Sequence, residues 1–484
     1  MSEKILEKYP EYEATIGIEV HTQLKTNSKA YCSCANKFGQ KPNTNICPIC
    51  AGHPGTLPIL NTKVVDYAIM LGLATNCNIS KISDCSRKHY FYPDTPKNYQ
   101  ITQGDLPICK NGFIPIEDSK GSIKKIGLFR IHIEEDAGKV IHGKNNKSLV
   151  DLNRSGVPLL EIVSKPEMKT SDEAKAYLMR LHSILRYLDI SDANMDKGSF
   201  RADVNISINK KNETKLGTKV EVKNINSFKF VGQAIEYEIE RQINKHLKKE
   251  TITQETRTWD TKQHKTIFMR SKEEAQDYRY FTDPDMPILE IDQNWIDKIK
   301  KQIPELPHEK FSRFINDYKL TSDEALILID DVKLANFFEQ TVKFVNLPKQ
   351  ICNWLLRNVL GYLKTEKISL NKSKINPQNF ALLIQEINKG SINTKVAQEI
   401  FEIMTQTGQN PIEIIKEKGF EQVSNEKELE KIILKIINDN PNQKEKYLSG
   451  NDRLIKFFVG QAMKETKGKG NPVIIQKLYE KHLK

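Results

Sequence analysis

The sequence predicts an α+β fold: a mainly antiparallel sheet with inserted helices, then helical segments to the C-terminus. Three observations predict it. Four short segments alternate apolar and charged residues at the two-residue period of a strand. Up to about residue 295 they are separated by dense turn chemistry, as in Lys41-Pro42-Asn43-Thr44-Asn45 and Tyr92-Pro93-Asp94-Thr95-Pro96. After Ile303-Pro304-Glu305-Leu306-Pro307 the apolar spacing becomes helical.

The first strand segment is Ile16-Gly17-Ile18-Glu19-Val20-His21, with Ile16, Ile18 and Val20 on one face and Glu19 and His21 on the other. The second is Arg130-Ile131-His132-Ile133-Glu134, followed by Glu135, Asp136 and, two positions on, Gly138. The third, Arg201 to Ile208, alternates Arg201, Asp203 and Asn205 with Ala202, Val204 and Ile206; the fourth, Lys219 to Asn224, sets Glu221 and Lys223 opposite Val220 and Val222. A solvated sheet face usually carries Thr, Lys, Ser and Gln. Repeated Glu-x-His and His-x-Glu pairs with cations beside them suit a hard cation and a phosphate instead. Mg²⁺ would take carboxylate oxygens, water and phosphate; the mixed Glu/His set is also compatible with Zn²⁺ or Mn²⁺.

Cys32-x-Cys34 and Cys47-Pro48-Ile49-Cys50 place four of the eight cysteines within 19 positions. Two close pairs joined by a short loop match a tetrahedral four-thiolate zinc knuckle. The other four, Cys77, Cys85, Cys109 and Cys352, are scattered and read as core residues. Thr170-Ser171-Asp172-Glu173 is a capping box opening a helix through Leu188, and a second helix runs from Phe230 towards His246. Beyond the double proline come helices at Ala335–Glu339, Ile351–Tyr362 and from Asn376-Pro377, then smaller ones joined by Asn440-Pro441-Asn442 and the Lys467–Pro472 stretch. The expected organisation is a domain over 1–295 with the knuckle at 32–50, a helical domain over 296–405 and a small helical tail over 406–484.

The chain of 484 residues, 38% hydrophobic and 28% charged, is that of a soluble globular protein of several domains. With no membrane-length apolar run and a polar start at Met1-Ser2-Glu3-Lys4, a cytoplasmic location is expected, with no membrane partner. The formal charge of +12 is uneven: ten Lys/Arg against four Asp/Glu from Pro441 to Lys484. A basic tail favours a polyanionic partner such as nucleic acid. No Walker loop and no Gly-x-Gly-x-x-Gly is present, so a bound nucleotide would be held by basic side chains and a metal.

The segments Ile16–His21, Arg87–Gln100, His132–Lys139, Asp151–Glu161, Gly198–Ser207, Glu221–Phe228 and Asp277–Pro284 follow in one order. Together they closely resemble the B subunit of the bacterial-type glutamyl/aspartyl-tRNA(Gln/Asn) amidotransferase family. The tail, Phe457 to Lys464 and then Lys469-Gly470-Asn471-Pro472, resembles that family's end, so the likeness spans essentially the whole chain. The resemblance implies a cradle-like catalytic domain, a helical domain and a tail that grips tRNA. It implies a carbon–nitrogen ligase with glutamine as amido donor: ATP phosphorylates the side-chain carboxylate of Glu or Asp misacylated on tRNA(Gln) or tRNA(Asn), and ammonia from a glutamine amidase partner displaces phosphate. A small third protein would complete a heterotrimer. By resemblance the metal ligands are Glu19, His21, Glu135 and Glu221, whereas strand alternation puts Glu134 on the face of His132; Glu135 is the preferred ligand, on the expectation that the strand breaks there, and Glu134 the second choice. Lys88, Arg154, Arg201 and Lys223 are candidate phosphate contacts, and Asp203 and Asn205 candidate polar groups of the metal shell or of the ammonia tunnel. All four family cysteines are present, which supports structural Zn²⁺ beside Mg²⁺ and ATP. The competing reading from another class is a non-catalytic zinc-containing RNA-binding protein.

Overall fold

The computed structural model describes residues 2–117, 122–143, 147–213, 215–271, 277–420, 426–466 and 472–483. The chain separates into two compact units, Met1–Pro307 and His308–Lys484. The first is the α+β part. Its strands are β1 (Tyr12–Gln23), β2 (Ile123–Glu135), β3 (Pro158–Ser164), β4 (Phe200–Lys210), β5 (Val220–Ile225), β6 (Glu255–Asp260) and β7 (Lys265–Ser271). They lie in the order β7-β6-β5-β4-β1-β3-β2, extended by the short strands Cys109–Lys110 and Asn78–Ile79, with Phe113–Glu117 also pairing with β2. Among the described pairings β5 with β6 is the parallel one and the rest are antiparallel.

One face of this sheet is the core. Ile16, Ile18 and Val20 of β1, Ile131 and Ile133 of β2, Leu160 and Ile162 of β3, and Val204 and Ile206 of β4 are all essentially inaccessible. Three helices cover them: α1 (Thr62–Ala74), α2 (Ser171–Tyr187) and α3 (Phe228–Leu247). Helix α2 contributes Tyr177, Leu178, Leu181, Ile184 and Leu185, and α3 contributes Val231, Ala234, Ile235, Ile239 and Ile243. Each such side chain contributes about 1.5–3 kcal/mol on burial, so the apolar face fixes which residues must line the other one. Thr170 caps α2 by accepting from the amide of Glu173, while the Glu173 carboxylate reaches the amide of Lys169, one residue before the cap. The capping box predicted there is therefore half formed. A separate three-stranded sheet of Ser86–His89, Tyr99–Thr102 and Phe281–Thr282 brings two distant loops together.

The second unit is helical and, among its described residues, holds two hydrophobic clusters. One centres on Phe314, Phe338, Phe380, Phe401 and Met404 and reaches Ile414 and Ile415; the other runs from Leu429 to Leu483 around Phe458 and Tyr479. The predicted helix at Asn376 is Pro377–Lys389, with Asn376 as its cap and Gly390 at its end in the left-handed conformation. Lys469, Gly470 and Asn471 of the tail motif lie outside the described residues. No helix among the described residues is long and apolar enough to cross a membrane.

Candidate functional site

The polar face of the sheet is assembled by register. Antiparallel pairing sets His21 of β1 opposite Glu161 of β3, and Glu161 opposite His132 of β2. On the other side of β1, Glu19 faces Asp203 and His21 faces Arg201 of β4, while Asn205 faces Glu221 of β5. Directly opposed residues stand about 4.5–5.5 Å apart, so a row of titratable groups crosses five strands.

At its centre are two imidazoles and two carboxylates. His21 Nε2 lies 3.3 Å from Glu161 and 3.9 Å from Glu134; His132 Nε2 lies 3.1 Å from Glu134 and 3.3 Å from Glu161. His21, Glu134 and Glu161 each offer a donor atom within 4.8 Å of the others, close enough to share one ion. Burial alone would disfavour charge on His132, yet Glu161 and Glu134 push its pKa up to about 9. Burial and the neighbouring Glu161 oppose ionisation of Glu134, but His132 and Lys88 hold it below the usual carboxylate range. Burial likewise works against the charge of Lys88, and Glu134, Tyr280 and Glu161 more than restore it. Glu19 is different: burial first, then the charge of Glu161, raise its pKa. Burial is the main cause and the neighbouring carboxylates add to it, a repulsion that a bound cation would relieve.

Glu19, His21, Lys88, His132, Glu134, Glu161 and Lys223 line one cavity of about 700 Å³, together with the aromatic rings of Phe129, Tyr280 and Phe281. At its edge Lys223 bridges Asp203 at 2.7 Å and Glu221 at 2.9 Å, and Asn205 donates to Glu19 at 3.2 Å. Thr256 donates to Glu221 at 2.9 Å. Glu19 and Glu221 thus belong to a second, cation-bridged half of the row.

Strand β2 continues through Glu135 without a break, so Glu134 and Glu135 point to opposite faces. Glu135 is 3% exposed and is held by Lys97 and the amide of Ile101, away from the imidazoles. Arg154 and Arg201 face another cavity of about 610 Å³. Both guanidiniums approach Asp136, at 3.7 and 3.1 Å, and Arg154 also donates to the carbonyls of Ala137 and Gly138. Glu161 was not singled out from the sequence. Its signal is a lone acid in the apolar run Leu159–Val163, at the same parity as the exposed positions of a strand.

The four cysteines converge as their spacing predicts. The sulfur donors of Cys32, Cys34, Cys47 and Cys50 lie within 4.8 Å of one another, with Cys34 and Cys47 4.0 and 3.8 Å from Cys50. A tetrahedral ion with bonds of about 2.3 Å needs sulfurs roughly 3.8 Å apart, so this set fits structural zinc. The donors His21, Glu134 and Glu161 fit a harder divalent ion that keeps positions for water or phosphate.

Residues 14–297 match the family described as the GatB/GatE catalytic domain, and residues 336–483 match the GatB domain. The aspartyl/glutamyl-tRNA(Asn/Gln) amidotransferase B subunit of Persephonella marina is 49% identical over 475 residues, 98% of this chain and 100% of the relative. The proteins of the same name from Thermodesulfovibrio yellowstonii and Clostridium tetani are 47% and 48% identical, covering 98% and 97% of this chain and 100% and 98% of their own lengths. On these matches the chain belongs to the GatB/GatE family.

Proposed function

We propose that this chain is the carboxylate-activating component of a tRNA-dependent amidotransferase, acting on Glu or Asp esterified to tRNA. The observation that carries the reading is the single cavity in which Lys88 and Lys223 flank His21, Glu134 and Glu161, in a chain whose relatives are named as B subunits of such an enzyme. The first step transfers the γ-phosphoryl of ATP to a carboxylate oxygen of the aminoacyl group, giving an acyl phosphate and ADP. Ammonia then attacks the acyl carbon; the C–N bond forms, the C–O bond to phosphate breaks, and a proton leaves the nitrogen with orthophosphate as the other product. Neither step needs a covalent bond to the protein, only positioning and charge neutralisation.

His21, Glu134 and Glu161 would hold a divalent cation such as Mg²⁺, with Glu19 as a further oxygen ligand. That ion supplies neutralisation of phosphate charge when bound. Lys88 and Lys223 place two cations against the transferring group, and Asn205 fixes the Glu19 carboxylate. Arg154 and Arg201 are positioning residues of the neighbouring cavity through Asp136. The partners are a glutamine amidase that releases ammonia and a small third protein, in a heterotrimer located in the cytoplasm. We assign the tRNA grip to the basic C-terminal region and structural Zn²⁺ to the four cysteines.

Reconstitution with the amidase partner, ATP and each misacylated tRNA tests the assignment. Glu134→Ala should stop ADP formation while tRNA binding persists; amidation at the parent rate would remove the site. Truncation after Phe420 should weaken tRNA binding and flatten its salt dependence, and an unchanged salt slope would remove the basic tail from the reading.

A further inference from the structure

Lys29 is a lysine with no exposed surface at all. Its ammonium donates to the carbonyl of Asn45 at 3.0 Å, to Cys50 Sγ at 3.5 Å and to the carbonyl of Leu152 at 3.4 Å. Three acceptors suit the three donors of an ammonium, but none of them is a carboxylate. A buried cation without a full counter-charge costs several kcal/mol. Four thiolates around Zn²⁺ carry a net charge of about −2, which is the opposite imbalance at the same place.

We propose that Lys29 is the counter-cation of a zinc–tetrathiolate centre and, through Leu152, the strut that ties that centre to the loop carrying Arg154. This rests on the reading that the four cysteines hold zinc. The loop is stitched to the knuckle at further points. The amide of Asn45 donates to Asn153 Oδ1 at 2.8 Å, Ser155 Oγ donates to the carbonyl of Cys50 at 3.1 Å, and the amide of Ala30 donates to the carbonyl of Gly156 at 2.8 Å. Arg154, on that loop, holds the carbonyls of Ala137 and Gly138 and faces Asp136. The metal centre therefore acts as the footing of one wall of the second cavity, and Lys29 is the residue that joins the charge of the centre to the position of the wall.

The test uses the full-length chain and begins with the zinc content of the parent protein. A parent chain that takes up no zinc overturns the zinc reading itself, independently of Lys29. With zinc bound, Lys29→Met should release it to a chromogenic chelator about tenfold faster, the scale seen when a partner of a metal ligand is removed; release within about twofold of the parent overturns the inference. Melting with and without chelator separates charge from packing. Lys29→Met should lower the melting temperature of the zinc-loaded chain by more than that of the chelated chain, because all four thiolates are ionised together only around the ion. An equal loss in both states makes Lys29 a packing residue and overturns the role. Where Lys29→Met is not recovered folded, Lys29→Gln is read by the same two criteria. Chelation of the parent should also speed amide exchange across 152–156, and unchanged exchange there overturns the strut.

Discussion

Among the described residues of the first unit two clusters are competent to hold metal, and they are built in opposite ways. The cysteine cluster draws its donors from positions 32–50, one local loop, and its neighbours are a buried lysine and backbone groups. The His/Glu cluster draws His21, Glu134 and Glu161 from three strands, and His132 and Lys88 crowd its carboxylates with positive charge. The first has its full set of four ligands, two buried and two half-buried; the second opens on a cavity and leaves room for substrate. Closed four-ligand sets support structure, and open sets with positions left for water or phosphate support chemistry. The difference lies in sequence separation as much as in ligand type.

Substitution at the open cluster breaks the comparison most severely. His21→Ala or Glu134→Ala should lower amidation by about 10³-fold, the scale of losing a preorganised electrostatic group, read as ADP formed per tRNA amidated. Glu135→Gln should behave differently: rate per folded molecule is kept, while loss of a buried charge partner for Lys97 costs about 3–5 kcal/mol in denaturant unfolding. A large rate loss in Glu135→Gln with stability unchanged would move the ligand role to Glu135. At the closed cluster, Cys47→Ser should abolish stoichiometric zinc. A chain assayed with free zinc at 1,000 times Kd should lose about 4 kcal/mol of stability with the ion, whereas its ADP-forming chemistry should fall far less than in Glu134→Ala.

Smaller effects sharpen the boundary of the open cluster. Asn205→Ala removes the donor to Glu19 and should cost roughly tenfold in ADP formation, about 1.5 kcal/mol for a hydrogen bond to a charged group; an unchanged rate would place Glu19 outside the reaction. A pH effect is expected in metal-free protein. His132, raised to about 9 in the fold, contributes stability that is fully present below its ordinary value near 6.5 and is lost as pH rises through about 9. Unfolding measured across that window should show the decline, and His132→Gln should flatten it.

How much of this is legible in the sequence depends on distance along the chain. Cys32, Cys34, Cys47 and Cys50 announce themselves because spacing alone brings them together. Alternation assigns Glu19, His21, His132 and Glu134 to one face, since the opposite residues are Ile and Val that must be buried. It also predicts that Glu134, not Glu135, joins His132, and the unbroken β2 places them so. What alternation lacks is register. Nothing local in Leu159–Val163 says that its one acid will sit between His21 and His132, because that follows from two long-range pairings, 140 and 29 positions apart along the chain. Lys29 is hidden for a related reason: a lone lysine beside a cysteine motif looks like solvated surface until Leu152 and Asn45 close over it. Arg154 and Arg201 are candidate phosphate contacts by type, and their shared approach to Asp136 on the lining of the second cavity follows from the fold and not from local sequence.

The placement of β1 at the middle of the sheet, between β3 and β4, also sets a timetable for the growing chain. Its partners begin at Pro158 and Phe200, so at 5–20 residues per second the ribosome needs roughly 10–40 s to supply them after β1 has emerged. Throughout that interval Ile16, Ile18 and Val20 are apolar strand residues with both edges unpaired, the condition under which nascent chains associate wrongly. The cysteine loop faces no such wait, because all four ligands leave the ribosome together. Slow translation or scarce chaperone should therefore harm the sheet before it harms the knuckle, and misfolded chains of this protein should still carry zinc.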